Sequence, residues 1–237
     1  MLTTALTSFL DALLPPLCLL CGAKIGVASG AGDVAFCTDC LADLPVLQAA
    51  HCPDCLIATE RGERCGACLA HAPDFDHAHA LYRYDFPVNR LIHALKYHAR
   101  FAPARTWGLM LAGETADFPA DCVLPLPLHP ERLAERGYNQ ALEIARHCAH
   151  ARRLPLDVDS LQKSRATPPQ SSLSLKARQR NLKGAFSCQS DFSGRHLLLI
   201  DDVLTTGATA NEAARVLKLH GAASVGIAVV ARTVRHY

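Results

Sequence analysis

The segment Leu197-Leu-Leu-Ile-Asp-Asp-Val-Leu-Thr-Thr-Gly-Ala-Thr209 constrains this chain more than any other. Leu197 to Ile200 form a continuous apolar run, as expected of a strand covered on both faces in a parallel sheet flanked by helices. Ala210 to His220 reads as the helix that follows, with Thr209 and Glu212 in capping-box spacing and Gly221 as its stop. Between them, Thr205-Thr206-Gly207-Ala208-Thr209 is a turn of small residues delivered to a helix N-terminus. Such a turn aims backbone N–H groups, hydroxyls and the positive end of a helix dipole at one place, which suits a phosphate group. Asp201 and Asp202 fall at the carboxyl end of the strand, where open α/β sheets bind ligands. Two carboxylates repel a bare phosphate, so they must meet hydroxyls or a metal ion. No Gly-Lys-Ser/Thr follows the glycine, which excludes a Walker loop.

A second pattern occupies the other end of the chain. Eight of the 11 cysteines form Cys18-x-x-Cys21, Cys37-x-x-Cys40, Cys52-x-x-Cys55 and Cys65-x-x-Cys68. Two residues between thiols let a tight knuckle present both sulfurs to one ion, and two knuckles complete the tetrahedral shell that Zn²⁺ prefers in closed structural sites. Pairing neighbouring knuckles gives two sites with short loops, which close at lower entropic cost. An interleaved pairing stays open at the level of sequence. Cys122, Cys148 and Cys188 stand alone and read as small core residues.

The N-terminus lacks the basic stretch of a signal peptide, and Asp11 interrupts its apolar run well short of a membrane span. Leu2, Leu6, Phe9, Leu10, Leu13 and Leu14 have helical spacing and predict a short amphipathic helix. These features predict a cytoplasmic protein without membrane insertion, a reducing setting in which paired thiols hold metal. Residues 1–70 carry three Lys/Arg against seven Asp/Glu, and the remainder carries 21 against 15. Zinc bound by four thiolates adds negative charge to the acidic end, so nucleic acid is not expected to bind there. The expected division is a zinc-binding module over residues 1–71 and an α/β domain over 72–237.

Cys122 to Pro127 reads as another buried strand, followed by a loop and helix containing His129, Arg132, Arg136 and Asn139. Arg132 and Arg136 are four apart, equally compatible with a ligand site and with a solvated helix face. Ala80 to Tyr84 reads as a strand, and Val88, Leu91, Ile92 and Leu95 mark one face of a helix ending near Lys96 and Tyr97. Residues 163–186 are a polar, basic, Pro- and Ser-rich insert between strands, the pattern of a functional lid or of disorder.

The strand, acidic pair and Thr-Thr-Gly-Ala-Thr loop resemble the 5-phosphoribosyl 1-diphosphate (PRPP) motif of type I phosphoribosyltransferases. That resemblance implies that Asp201 and Asp202 engage the ribose hydroxyls, directly or through Mg²⁺-bound water, while Thr205, Thr206, Gly207, Ala208 and Thr209 cradle the 5-phosphate. The strand and loop around Pro125 to Asn139 are similar to those of glutamine-dependent amidophosphoribosyltransferases. This likeness puts His129, Arg132, Arg136 and Asn139 on the diphosphate side. The insert resembles the loop that closes over PRPP, which makes Arg165 and Arg178 the catalytic candidates, with Gln170 and Asn181 beside them.

Taken together, the four cysteine pairs, Ile92-His-Ala-Leu-Lys-Tyr97, Pro127-Leu-His-Pro130 with Arg136-Gly-Tyr-Asn-Gln140, and the terminal motif resemble the ComF family. The resemblance implies PRPP binding, an association with DNA uptake in competence, and protein partners from that machinery. Two functions follow as expectations: phosphoribosyl transfer to a nitrogen acceptor, or non-catalytic sensing of PRPP or a nucleotide with single-stranded DNA bound by the downstream domain. The protein purified without chelator is expected to carry two structural zinc ions per chain, which metal analysis by mass spectrometry measures directly.

Overall fold

A computed structural model describes residues 16–25, 35–47, 50–165 and 184–233. The expected N-terminal helix lies outside these residues, as do Gln170, Arg178 and Asn181 of the insert.

Four strands form one parallel sheet in the order β1 (His77–Arg83), β6 (Ser224–Arg232), β5 (His196–Leu204) and β2 (Cys122–Pro125). A parallel sheet needs cover on both faces, and the alternation of side chains along β5 supplies two cores at once. Leu197 and Leu199 pack toward α7 (Ala208–Leu219), Phe186 and Phe192. Leu198 and Ile200 point the other way, toward α3 (Val88–Tyr97), α4 (Ala102–Glu114), α6 (Gln140–Arg152) and the fully buried Trp107. All four residues are 0% exposed, which is why the run is continuous rather than alternating. The lone Cys122, Cys148 and Cys188 are buried in these cores, as expected of small apolar residues.

Both edges of the sheet are covered. Leu156 makes a parallel bridge to Val123 beyond β2. At the other edge Val46, from the cysteine-rich segment, bridges Tyr82, and the Arg83 N–H donates to the Pro45 carbonyl at 2.7 Å. The N-terminal segment thus blocks an edge strand that would otherwise offer unpaired backbone groups. That segment carries two single-turn helices, α1 (Thr38–Ala42) and α2 (Gly66–Ala70), each preceded by a cysteine.

The connections create a crevice. From β2 the chain passes through α5 (Pro130–Arg136) and α6, then outward to Leu156; from β5 it passes through α7 on the opposite face and returns to β6. The two paths diverge at the carboxyl ends of β2 and β5, the topological switch point at which doubly wound sheets bind ligands. A two-stranded antiparallel piece, β3 (Leu161–Lys163) with β4 (Phe186–Cys188), closes one side.

The expected capping box is overturned. Gly207, at φ 77°, is the N-cap of α7, so Thr209 already lies in the first turn and the N-cap residue itself has no side chain to cap the helix. Glu212 instead accepts from the Gly184 N–H at 2.7 Å and pairs with Arg215 at 2.7 Å. Among the described residues, no helix is long and apolar enough to cross a membrane.

Gly108 marks the closest approach of α4 and α6. A Cβ built there meets His147 Cβ at 2.5 Å and the Ile144 carbonyl at 2.6 Å. Because backbone must move to relieve such a clash, Gly108→Ala is expected to cost ~2 kcal/mol of stability or more. Urea unfolding of the two proteins checks it.

Candidate functional site

The crevice at the switch point is a cavity of about 680 Å³. The end of β2 contributes Leu126 to His129, α5 contributes Glu131, Arg132, Glu135 and Arg136, β5 with its loop contributes Asp201, Asp202 and Thr205, and the first turn of α7 contributes Thr209. Lys96 and Tyr97 reach it from the end of α3, and Lys163 from β3. Thr206, Gly207 and Ala208 complete the turn, with the Ala208 N–H donating to Thr206 Oγ1 at 3.4 Å. The elements expected from the two strand-loop-helix patterns therefore meet in one place.

The acidic pair is held in an unusual electrostatic setting. Asp202 has a side chain only 3% exposed and pairs with Lys96 Nζ at 2.6 Å. Its N–H donates to Asp201 Oδ1 at 2.8 Å. Burial, and then the charge of Asp202, push the Asp201 carboxyl up to about 8. Burial works against the Lys96 ammonium, but the Asp202 and Asp201 carboxylates outweigh it and raise its pKa. Lys163 moves the other way, because burial and then Arg132 disfavour its charge while Asp201 only partly compensates. The cleft thus concentrates cations around two carboxylates, one of which takes up a proton near neutrality.

Arg132 and Arg136 both line the cleft, Arg132 exposed and Arg136 half-buried. Arg136 lies over the Tyr97 ring, 5.3 Å from its centroid, and donates to Gln140 Oε1. His129 lines the cleft while its Nδ1 accepts from the Glu131 N–H at 3.4 Å, starting α5. Asn139 departs from its expected role: its Oδ1 accepts from the Ala141 N–H at 3.0 Å and its Nδ2 donates to the Leu126 carbonyl at 3.0 Å. The amide shapes the loop and caps α6, and Asn139 is not among the residues that line the cleft. Arg165 is exposed and lies beyond the cleft wall. Tyr84 and Thr233 line the cleft without having been marked by any sequence motif, and Gln140 was marked only as the end of Arg136-Gly-Tyr-Asn-Gln140. Lys163 was legible only as one charge of the basic insert; its place on β3 turns it inward.

The eight paired cysteines gather into two sets, Cys18, Cys21, Cys37 and Cys40, and Cys52, Cys55, Cys65 and Cys68, with sulfurs within 4.8 Å of one another. The sequential pairing is the one the fold adopts. Cys21 and Cys37 Sγ are 3.7 Å apart, as are Cys55 and Cys65 Sγ. That matches the ~3.8 Å edge of a tetrahedron with Zn–S distances of about 2.3 Å, and is far from a disulfide bond. Burial opposes ionisation of Cys18, yet backbone donors at Cys37, Cys21 and Leu20 hold it down to about 6. Cys52 is likewise opposed by burial and held down to about 7 by donors at Cys65, Cys55 and Asp54. The neighbouring thiols raise Cys40, and burial followed by Cys55 raises Cys68. The two Cys₄ sets therefore fit structural zinc, with no ligand position left for substrate.

Residues 9–69 match the double zinc ribbon domain family and residues 134–236 the phosphoribosyl transferase domain family. The chain is 32% identical to the DNA utilization protein YhgH of Escherichia coli O157:H7 over 92% of this chain and 98% of that one. It is 31% identical to Competence protein F of Haemophilus influenzae over 72% of this chain and 79% of that one. To Competence protein ComFC of Streptococcus pneumoniae it is 25% identical over 88% and 96%. Among solved structures, the match to a purine phosphoribosyltransferase from Pyrococcus horikoshii covers 54% of this chain and 70% of that one at 17% identity, with a TM-score of 0.36.

The raised Asp201 pKa has a thermodynamic consequence. The folded chain holds a proton that the unfolded chain releases, so this group's contribution to stability is present at low pH and is lost as pH climbs toward 8. Asp201→Asn is therefore expected to stabilise the ligand-free protein, with an advantage that grows from pH 5 to pH 8. Melting temperatures of both proteins across that range measure it.

Proposed function

The chain belongs to the ComF family, and on that premise we propose that it binds PRPP with Mg²⁺ in the switch-point cleft. The observation that carries this reading is the convergence of the Asp201–Asp202 pair, the Thr205–Thr209 loop and the α5 arginines on one cavity of about 680 Å³. The N-terminus of α7, which follows Gly207, and the Thr205 and Thr209 side chains receive the 5-phosphate. Asp201 and Asp202 receive the ribose hydroxyls, and His129, Arg132 and Arg136 face the diphosphate. Asp201 and Asp202 would hold the Mg²⁺ that accompanies the ligand, which would supply charge neutralisation at the diphosphate. Lys96 then exchanges part of its pairing with Asp202 for a diphosphate oxygen.

Transfer, in this reading, breaks the C1–O bond with pyrophosphate leaving on the electron pair, while an acceptor nitrogen forms the new bond to C1 and gives up a proton. Arg165 and Arg178 are the candidates for closing over that centre and excluding water. A zinc-binding module over residues 1–71 precedes the binding domain over 72–237, and the protein works in the cytoplasm with partners of a DNA-uptake machinery.

A second reading, single-stranded DNA handling by the downstream domain, is favoured by one observation. Tyr97 is 60% exposed beside the cleft, under the Arg136 guanidinium, and a second cavity of about 430 Å³ continues from it past His98 and Tyr138. Exposed aromatics among cations are stacking platforms for bases. The names of the relatives agree with such a role.

Binding by the native state alone stabilises it by ~2.7 kcal/mol at a ligand concentration about 100 times Kd. PRPP with Mg²⁺ is accordingly expected to raise the melting temperature in a titration, and Asp202→Asn to blunt the rise. Fluorescence anisotropy with labelled single-stranded DNA should show affinity falling steeply with salt and competition by PRPP–Mg²⁺. Equal thermal shifts in wild type and variant count against the assigned site.

A further inference from the structure

Arg232, the last residue of β6, is 4% exposed although it carries a guanidinium. Its Nε donates to the Cys55 carbonyl at 2.7 Å, across 177 residues of sequence. Its Nη1 donates to the Leu204 carbonyl at 2.8 Å, to the Thr233 carbonyl at 3.0 Å, and to the Thr205 carbonyl. Leu204 ends β5 and Thr205 opens the loop that lines the cleft. Cys55 belongs to the second thiol set. One planar fork therefore grips the metal knuckle on one side and the root of the phosphate loop on the other, a geometry that a lysine cannot reproduce.

The knuckle has a defined shape to lose. The Cys52 N–H donates to the Ile57 carbonyl at 2.8 Å and the Leu56 N–H to the Cys52 carbonyl at 2.9 Å. Leu56 sits at φ 61°, a conformation an L-residue adopts only where its surroundings impose it. Shared thiolates hold this turn closed and aim the Cys55 carbonyl at Arg232. If the turn opens, a buried donor loses its acceptor and the guanidinium must regroup around the carbonyls that remain, Thr205 among them. The first thiol set is fastened elsewhere: the Ala35 N–H donates to Thr106 Oγ1 of α4 at 2.8 Å, and Leu20, Leu41 and Leu91 of α3 pack against both the Cys18, Ile25 and Phe36 cluster and the core beneath α3 and α4. It serves as an internal control.

The geometry points to Arg232 as a positioning residue that couples metal retention at Cys52, Cys55, Cys65 and Cys68 to ligand binding at the Thr205–Thr209 loop. The coupling is reciprocal by linkage: whatever orders the loop also holds the knuckle. Loss of the second zinc should therefore weaken the cleft as well as the module, contrary to a picture of two independent units. The identity of the cleft ligand as PRPP rests on the function proposed above; the mechanical link does not.

Hydrogen-exchange mass spectrometry on the full chain tests it, with calorimetry first establishing whether PRPP–Mg²⁺ binds. In the ligand-free wild type, partial zinc removal by a chelator is expected to speed exchange at residues 204–206 several-fold. Unchanged exchange there, at a zinc loss that opens residues 52–57, overturns the inference whether or not PRPP binds. If calorimetry detects PRPP binding, PRPP–Mg²⁺ should slow exchange at 52–57 and slow release of one of the two zinc ions several-fold, leaving the Cys18–Cys21 turn unaffected. PRPP that binds without protecting 52–57 refutes the coupling and spares the proposed function. Failure of PRPP to bind refutes that function and leaves the zinc-removal arm to decide the coupling. Arg232→Lys keeps the charge but not the fork and should reduce the PRPP effect on zinc release below twofold. If it retains the effect, Arg232 is not the link.

Discussion

Burial of β5 on both faces is the constraint from which the rest of this structure follows. A strand with Leu197 and Leu199 on one side and Leu198 and Ile200 on the other can be stable only between two layers of helices. Helices on both layers force the chain to leave β2 and β5 in opposite directions, and that divergence opens a cavity at their carboxyl ends. The site is a product of the topology, before any particular side chain is considered. Its walls are then the first residues beyond each strand, which is why the chemistry lies in Leu126 to Arg136 and in Asp201 to Thr209.

Burial also sets the electrostatics. Because β5 continues to Leu204, Asp201 and Asp202 are part of a strand within the domain rather than a surface pair. Two carboxylates so placed cannot both stay ionised without a cation, and the fold answers with Lys96 on Asp202 and a raised pKa at Asp201. A ligand carrying hydroxyls and a metal ion meets the same demand. The cleft thus sets two carboxylates among the cationic side chains of Lys96, Arg132, Arg136 and Lys163.

The cysteine-rich segment shows how a small module gains from its neighbour. Two Cys₄ sets supply closed, tetrahedral anchor points, while Val46 and Pro45 cover the edge strand β1 and the Cys55 carbonyl meets Arg232. Each contact removes a backbone group from the list of those left without a partner. A buried arginine held by carbonyl groups from both parts makes the junction directional as well as adhesive.

The sequence by itself determined the features governed by local periodicity and spacing. Apolar runs marked β5 and β2, the strand-loop-helix pattern marked Asp201 to Thr209, and the two-residue spacing of the thiols marked both metal sets, because these signals lie within a few residues of one another. The helix cap was misread for the same reason: a local Thr209–Glu212 pattern was overruled by Gly207 in the left-handed region and by the long-range partner Gly184. That Arg132 and Arg136 line the cleft depends on how α5 docks at the switch point. The tertiary structure likewise turned Lys163 inward, engaged Asn139 in the loop, seated Lys96 on Asp202 and carried Arg232 to Cys55. Those outcomes depend on segments far apart in the chain converging in space, and no pattern of neighbouring residues records which distant carbonyl a buried guanidinium will find.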